Sequence, residues 1–235
     1  MPTRCPDTGY LRRTTQLINH NRPYSMIGWY RREHSLTAWK AVACLPISSN
    51  QDAISISNGL LNYERQIGGS YQSWGSSPAS FAITPSVWYY VGYIYDGTNC
   101  ILMKDARYWR VGAGGDVSSR SACTGLQLNA WNGSFFADHA YYNWMFFQRP
   151  LCEMELREQM RSFCPLSTQN LLGWYPVVYP GDYNSQAGGL LPLSVGGSGT
   201  FSILPEHNLA YRTRGMGLLV YDVPGTKLTM LRGGV

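Results

Sequence analysis

The chain has 235 residues, of which 44% are hydrophobic, 14% aromatic and only 14% charged, against roughly 25% charge in an average globular protein. That balance excludes a disordered polyelectrolyte, and the length allows one large core without metal or disulfide staples. The net charge of +5 is scattered over Arg12-Arg13, Arg31-Arg32, Arg212 and Arg214 rather than gathered on one element, so nucleic acid is not an expected partner.

Residues 1–22 are polar and arginine-rich, with Pro2 and Pro6, and read as an arm or an irregular first strand. Tyr24–Arg32 is the first strong strand, and Ala38–Ile47, apolar on both faces, reads as a central one. Ala53–Ser57 alternates with period two. Asn58-Gly59 is a hairpin signal, and Leu60–Ile67 is its partner strand. Gly68–Ser80 reads as a loop carrying Tyr71 and Trp74, which are able either to stack on a sugar ring or to fold back over an open edge of the core; the second use is the commoner one for Trp.

Trp88–Tyr95 is a tyrosine-rich strand with Tyr89, Val91, Tyr93 and Tyr95 on one face and Trp88, Tyr90, Gly92 and Ile94 on the other. The turn Asp96-Gly97-Thr98-Asn99 leads into Cys100–Met103, and Asp105-Ala106 turns again before Tyr108–Val111. Gly112–Thr124 reads as a loop and Leu126–Leu128 as a short strand. In the aromatic run Phe135–Phe147, alternation groups Tyr142, Trp144 and Phe146 on one face, and Tyr141, Asn143, Met145 and Phe147 on the other. Met154, Leu156, Met160 and Phe163 follow helical spacing, which predicts a helix over Glu153–Phe163, with Cys152 at the N-cap, Glu155 three residues on and Pro165 as the stop. Leu171–Val178 is a strand candidate interrupted by Pro176. Beyond Pro205 only Met216–Val220 is amphiphilic.

These strands with short Gly/Asn/Asp turns predict an all-β, antiparallel β-sandwich with one short helix. The ordered set Ile27-Gly28-Trp29-Tyr30, Trp88–Gly97, Ile101–Asp105, Arg149-Pro150-Leu151 with Glu153–Glu158, the Trp174 strand and Gly181–Leu191 resembles the laminin-G-like branch of the concanavalin A-like jelly rolls. The resemblance covers roughly residues 20–205. It implies a jelly-roll domain at 23–205, an N-terminal arm or first irregular strand at 1–22 and a C-terminal extension at 206–235 serving as a docking arm. The start of the chain lacks the apolar core of a signal peptide and no run reaches membrane-spanning length. Leaderless modules of this size resemble those of bacteriophage particles, which implies a non-enzymatic virion structural protein made in the host cytoplasm. It would be a capsid decoration or a tail- or fibre-associated subunit, with itself and other virion proteins as partners. The alternative is a carbohydrate-binding adhesion module on a host-surface glycan, and further off a glucanase-like hydrolase.

Candidate site residues are few. Ligand or partner contacts fall to Tyr71, Trp74, Arg212, Arg214 and Tyr221. A calcium ion, which many such modules hold, would need oxygens from Asp182, Asn184, Asp116 or Asp138, although turn Asp and Asn more often bond their own backbone. Related glucanases carry E-x-D-x-x-E on a strand; the nearest run, Glu153-Met154-Glu155-Leu156-Arg157-Glu158, has helical character that parts the carboxylates. His139 beside Asp138 reads as a strand polar pair, and no G-x-S-x-G is present. The six cysteines form no C-x-x-C and have no His partners at finger spacing, so zinc is not expected and free, mostly buried thiols are. Asn132-Gly133-Ser134 reads as a turn.

Overall fold

Period-two alternation sends one row of each aromatic strand into a shared core and the other row to the opposite side. In the computed structural model, residues 2–35, 37–47, 50–67, 70–113, 125–131, 133–177, 192–203, 218–219 and 230–231 are described. They build two stacked antiparallel sheets. The first is ordered β10 (Arg107–Ala113), β9 (Asn99–Lys104), β8 (Tyr89–Tyr95), β3 (Tyr24–Arg32), β12 (His139–Phe147), β1 (Thr3–Cys5), β15 (Ser202–Ile203), with β13 (Leu171–Tyr175) also paired to β12. The second is ordered β14 (Ser194–Gly197), β2 (Gly9–Arg13), β11 (Leu126–Leu128), β4 (Lys40–Ile47), β5 (Asn50–Ser57), β6 (Leu60–Ile67), β7 (Ser70–Ser76). The helix α1 spans Glu153–Gln159. The expected antiparallel β-sandwich with one short helix is what the chain forms.

Between the sheets, Tyr24, Met26 and Tyr30 of β3, Val91, Tyr93 and Tyr95 of β8, and Tyr141, Trp144 and Phe146 of β12 meet Leu11, Val42, Leu45, Ile54, Ile56, Leu61 and Tyr63 of the second sheet. The other face of the first sheet is also closed: Ile27, Tyr90, Ile94, Met145 and Phe147 lie under Leu151 and Leu156. Burying a leucine such as Leu156 contributes about 1.5–3 kcal/mol. This second cluster explains why both faces of the tyrosine-rich strand are apolar.

Turn chemistry sets the registers. Asn58 and Gly59 both have positive φ (49° and 75°), the geometry that matches strand twist in a two-residue hairpin. Asp105 and Ala106 repeat it with φ of 50° and 59°, and the Asp105 carboxylate accepts the Tyr90 N–H at 3.0 Å.

Residues 1–22, read as an arm or an irregular first strand, supply two strands: β1 pairs with β12 and β15, and β2 pairs with β11 and β14, so this stretch enters both sheets. Three other expectations change. The expected loop at 68–80 contains the edge strand β7. In β12 the faces change hands at Asn143, whose φ is 53° and where the pairing with β3 shifts register. A bulge there adds one residue, so Tyr141 joins Trp144 and Phe146 in the core, while Tyr142 packs against Phe163 instead. The helix ends at Gln159, short of Pro165, because the Gln159 side chain takes over the next loop: it donates to the Cys164 carbonyl at 3.0 Å and accepts from the Leu166 N–H at 2.8 Å. Its start holds as expected, with the Glu155 carboxylate accepting the Cys152 N–H at 3.0 Å.

An ionic group sits inside the sandwich. Asp52 and Arg65, both fully buried, face each other at 3.7 Å across β5 and β6. Tyr24 and Tyr63 donate to the two Asp52 oxygens at 2.6 and 3.1 Å, and Arg65 lies 4.4 Å from the centre of the Tyr95 ring. Burial pulls the Arg65 guanidinium down, but Asp52 and the surrounding tyrosines outweigh it and hold the group above its ordinary value.

Candidate functional site

The second sheet has an outer face as well. With Ile54, Ile56, Leu61 and Tyr63 turned inward, the alternate residues Ser55 and Glu64 face away from the core. Two segments fold onto that outer face: the approach to β4, carrying Trp39, and the segment after β11, carrying Trp131, Phe135 and Phe136. The second is folded tightly by Gly133 at φ 72° and by a reciprocal backbone pair between Trp131 and Ser134, both bonds 2.9 Å.

Trp39, Trp131 and Phe135 form a closed triangle of rings. Their centroids are 4.7 Å apart for Trp39–Trp131, 5.1 Å for Trp39–Phe135 and 5.4 Å for Trp131–Phe135. Trp39 and Trp131 are half-buried and Phe135 is 50% exposed. Phe135 has φ of 61°, a left-handed conformation that costs a bulky residue of the order of 1–3 kcal/mol and gathers at binding sites. Beside the triangle Phe136 stacks on Tyr10 at 5.5 Å.

Glu64 anchors the triangle from below. Its Oε1 accepts the Trp39 indole N–H and, at 2.9 Å, the Ser55 hydroxyl. Burial raises the Glu64 carboxyl to about 7, with the Ser55 bond pulling modestly the other way. The result is an angled apolar surface, with Trp39 edge-on to Trp131 and Phe135 at 62° and 89° between ring planes, beside a carboxylate that is close to half-protonated at neutral pH. Such a surface stacks against the C–H face of a ring and exchanges hydrogen bonds with hydroxyls.

The sequence-predicted residues fare differently. Tyr71 and Trp74 lie in β7, where their backbones oppose Gln66 and Glu64; their side chains are outside the described residues. Asp116, Asp182, Asn184, Arg212, Arg214 and Tyr221 are outside them altogether. Asp138, the remaining calcium candidate, is engaged by Arg4 instead, which donates to it through Nε at 2.5 Å and through Nη2, and His34 Nε2 stands 3.3 Å away. Among the described residues no group of three or more His, Cys, Asp or Glu side chains is placed to hold a metal ion. The acidic run is structural: Glu155 pairs with Arg149 at 2.7 Å and Glu153 with Arg157 at 3.6 Å, on a helix. His139 is buried against Tyr30 at 4.9 Å between ring centroids, and burial drops it to about 3, so it is neutral. Cys5, Cys44 and Cys100 are buried and Cys152 and Cys164 exposed. No helix among the described residues is long and apolar enough to cross a membrane.

Sequence reasoning missed Trp39 and Trp131. The available signal was a tight Asn-Gly turn flanked by Trp131 on one side and Phe135-Phe136 on the other, since a turn otherwise has little reason to carry three large rings.

No protein-family model and no curated protein matches the sequence. Solved structures do. The native heptameric SAP-like pentraxin from Limulus polyphemus aligns at TM-score 0.54 and 15% identity, over 84% of this chain and 95% of the pentraxin chain. The receptor-binding domain of botulinum neurotoxin D aligns at 0.49 and 11% identity, over 60% of this chain and 38% of that one. Trypanosoma rangeli sialidase aligns at 0.46 and 10% identity, over 58% and 22%. The chain spans 36% of the length of the neurotoxin C/D mosaic domain. The pentraxin likeness identifies the sandwich as a jelly roll of the concanavalin A-like kind.

Proposed function

We propose that this chain is a non-enzymatic, glycan-binding jelly-roll module that presents the Trp39–Trp131–Phe135 triangle to a sugar ring. The observation that carries this reading is Phe135, held half-exposed in a left-handed backbone against two tryptophans. A folding core has no use for a strained, exposed phenylalanine, whereas a stacking platform does. Glu64, held by the buried Ser55 hydroxyl at 2.9 Å, adds a hydrogen-bonding group beneath it, and the described carboxylates nearby form no acid–base pair across it.

A glycan array probed with the wild-type chain, Trp39→Ala and Phe135→Ala tests it. Wild type is expected to select a subset of glycans, and each variant to lose about thirtyfold in affinity, the size of a ring hot spot. Phe135→Ala removes a half-exposed ring and leaves the core intact. Absence of wild-type binding, or undiminished binding by both variants, overturns the proposal.

A second reading, a subunit that displays this jelly roll on a bacteriophage particle, is favoured by one feature of the topology. Among the described residues β15 is the last strand in either sheet, and the short pair Leu218–Leu219 with Met230–Leu231 joins neither of them. In this reading the segment 206–235 is the anchor onto neighbouring subunits. Deleting it is expected to leave a cooperatively folding sandwich and to abolish incorporation into particles; normal incorporation removes the segment as anchor.

A further inference from the structure

The inward row of β3 ends in a charge. Tyr24, Met26, Gly28 and Tyr30 precede Arg32 at the same parity, and the register partner of Arg32 on β12 is His139, as that of Tyr30 is Tyr141. Arg32 therefore faces the gap between the sheets at one end of the sandwich. It is only 6% exposed, and its Nε and Nη1 atoms have no hydrogen-bond partner. The fully buried Tyr30 hydroxyl and His139 Nε2 beside it are equally unpartnered. From the opposite sheet comes a second cation, Lys40, the register partner of the core residue Ile56. Lys40 and Arg32 together depress the basicity of His139, after burial itself. The Asn58-Gly59 turn closes over the group, with the position a Gly59 Cβ would occupy 3.3 Å from Arg32 Nη2.

Among the described residues no carboxylate forms an ion pair with Arg32 or Lys40, and Glu33 is the one carboxylate whose charge reaches the Tyr30 hydroxyl. Glu33, the next residue along, is turned to Arg31, with Nε–Oε1 at 3.0 Å. Asp138 is held by Arg4 and His34. Buried guanidinium donors without partners are costly, and native structures rarely leave them so.

The geometry points to an anion site at this end of the sandwich, in which Arg32, Lys40 and the Tyr30 hydroxyl together take the carboxylate of a small acid or of an acidic sugar. The free Nε and Nη1 donors of Arg32 lie on different edges of the guanidinium, so each offers one charge-assisted hydrogen bond to an anion, and Lys40 supplies the second charge from across the gap. The site rests on observations separate from the aromatic triangle and stands whether or not that triangle binds glycans.

The test is a titration of the full chain, labelled with 15N-arginine, with sodium acetate and in parallel with sodium glucuronate, glucose serving as the uncharged control. The Arg32 Nε–H resonance, assigned by its loss in Arg32→Lys, is expected to shift with saturation in both salts. The exposed Arg12 resonance reports the bulk effect of salt. Glucose is expected to be silent. Lys40→Gln, at the half-buried start of β4, should weaken acetate binding about tenfold, as loss of one charge-assisted contact does. Tighter binding of glucuronate than of acetate assigns the site to a sugar-borne carboxylate, and equal binding to free acids. An Arg32 shift that tracks Arg12 without saturation, or an unchanged affinity in Lys40→Gln, overturns the assignment.

Discussion

Arg65→Met is expected to lower the unfolding free energy by about 3–5 kcal/mol, because it leaves the buried Asp52 carboxylate without its counter-charge. Asp52 keeps hydrogen bonds from Tyr24 and Tyr63, but two neutral donors do not replace a guanidinium at 3.7 Å in a low-dielectric interior. The double variant Asp52→Leu/Arg65→Met removes both charges and should recover most of the loss, since apolar residues of similar volume often replace a buried pair at little cost. Denaturant unfolding of the three proteins measures this. A loss of less than about 1 kcal/mol in Arg65→Met would put the pair in the class of surface salt bridges and defeat the argument.

The second large effect is a pH dependence centred on Glu64. Its carboxyl is raised by burial from an ordinary 4.5 to about 7. Between those two values the folded chain holds a proton that the unfolded chain has released, so this group's contribution to stability is complete below 4.5 and is lost as pH climbs through 7. The loss is roughly 3 kcal/mol. His139 works in the opposite sense: held neutral down to about 3, it costs stability as pH falls below the usual histidine range. The difference between Glu64→Gln and wild type isolates Glu64 from that background. The variant is expected to be close to wild type at pH 5 and more stable by roughly 3 kcal/mol at pH 8. A stability difference that does not change between those two conditions would show that Glu64 is as ionisable in the folded chain as in the unfolded one.

The legible parts of this fold are those in which a local rule and the tertiary packing agree. Tyr89–Tyr95 alternates because each face meets a different apolar layer, and the Asn58-Gly59 hairpin follows from two positive φ angles that asparagine and glycine accept readily. Legibility fails where a single residue breaks the period. Asn143, in a left-handed conformation, moves Tyr141 to the core side, and nothing in the run His-Ala-Tyr-Tyr-Asn-Trp announces a bulge. It also fails where composition misleads. Arg12 and Arg13 make residues 1–22 look solvated, yet Arg13 is buried and donates to the Tyr175 hydroxyl at 3.2 Å. The aromatic triangle was illegible for a third reason: Trp39 and Trp131 belong to distant stretches of chain, and only the β4–β11 pairing brings those stretches side by side.

The placing of β1 and β2 also bears on how the chain is made. β1 lies between β12 and β15, and β2 between β11 and β14, so the first strands of the sandwich to be synthesised receive their last partners from its final strands. A nascent chain that has not yet reached residue 194 leaves β1 and β2 bare on at least one side, and bare strand edges are templates for pairing with other chains. Loop closure over so long a separation is slow. During synthesis β1 and β2 therefore keep bare edges until β14 and β15 arrive, and pairing of those edges with other chains competes with completion of the sandwich.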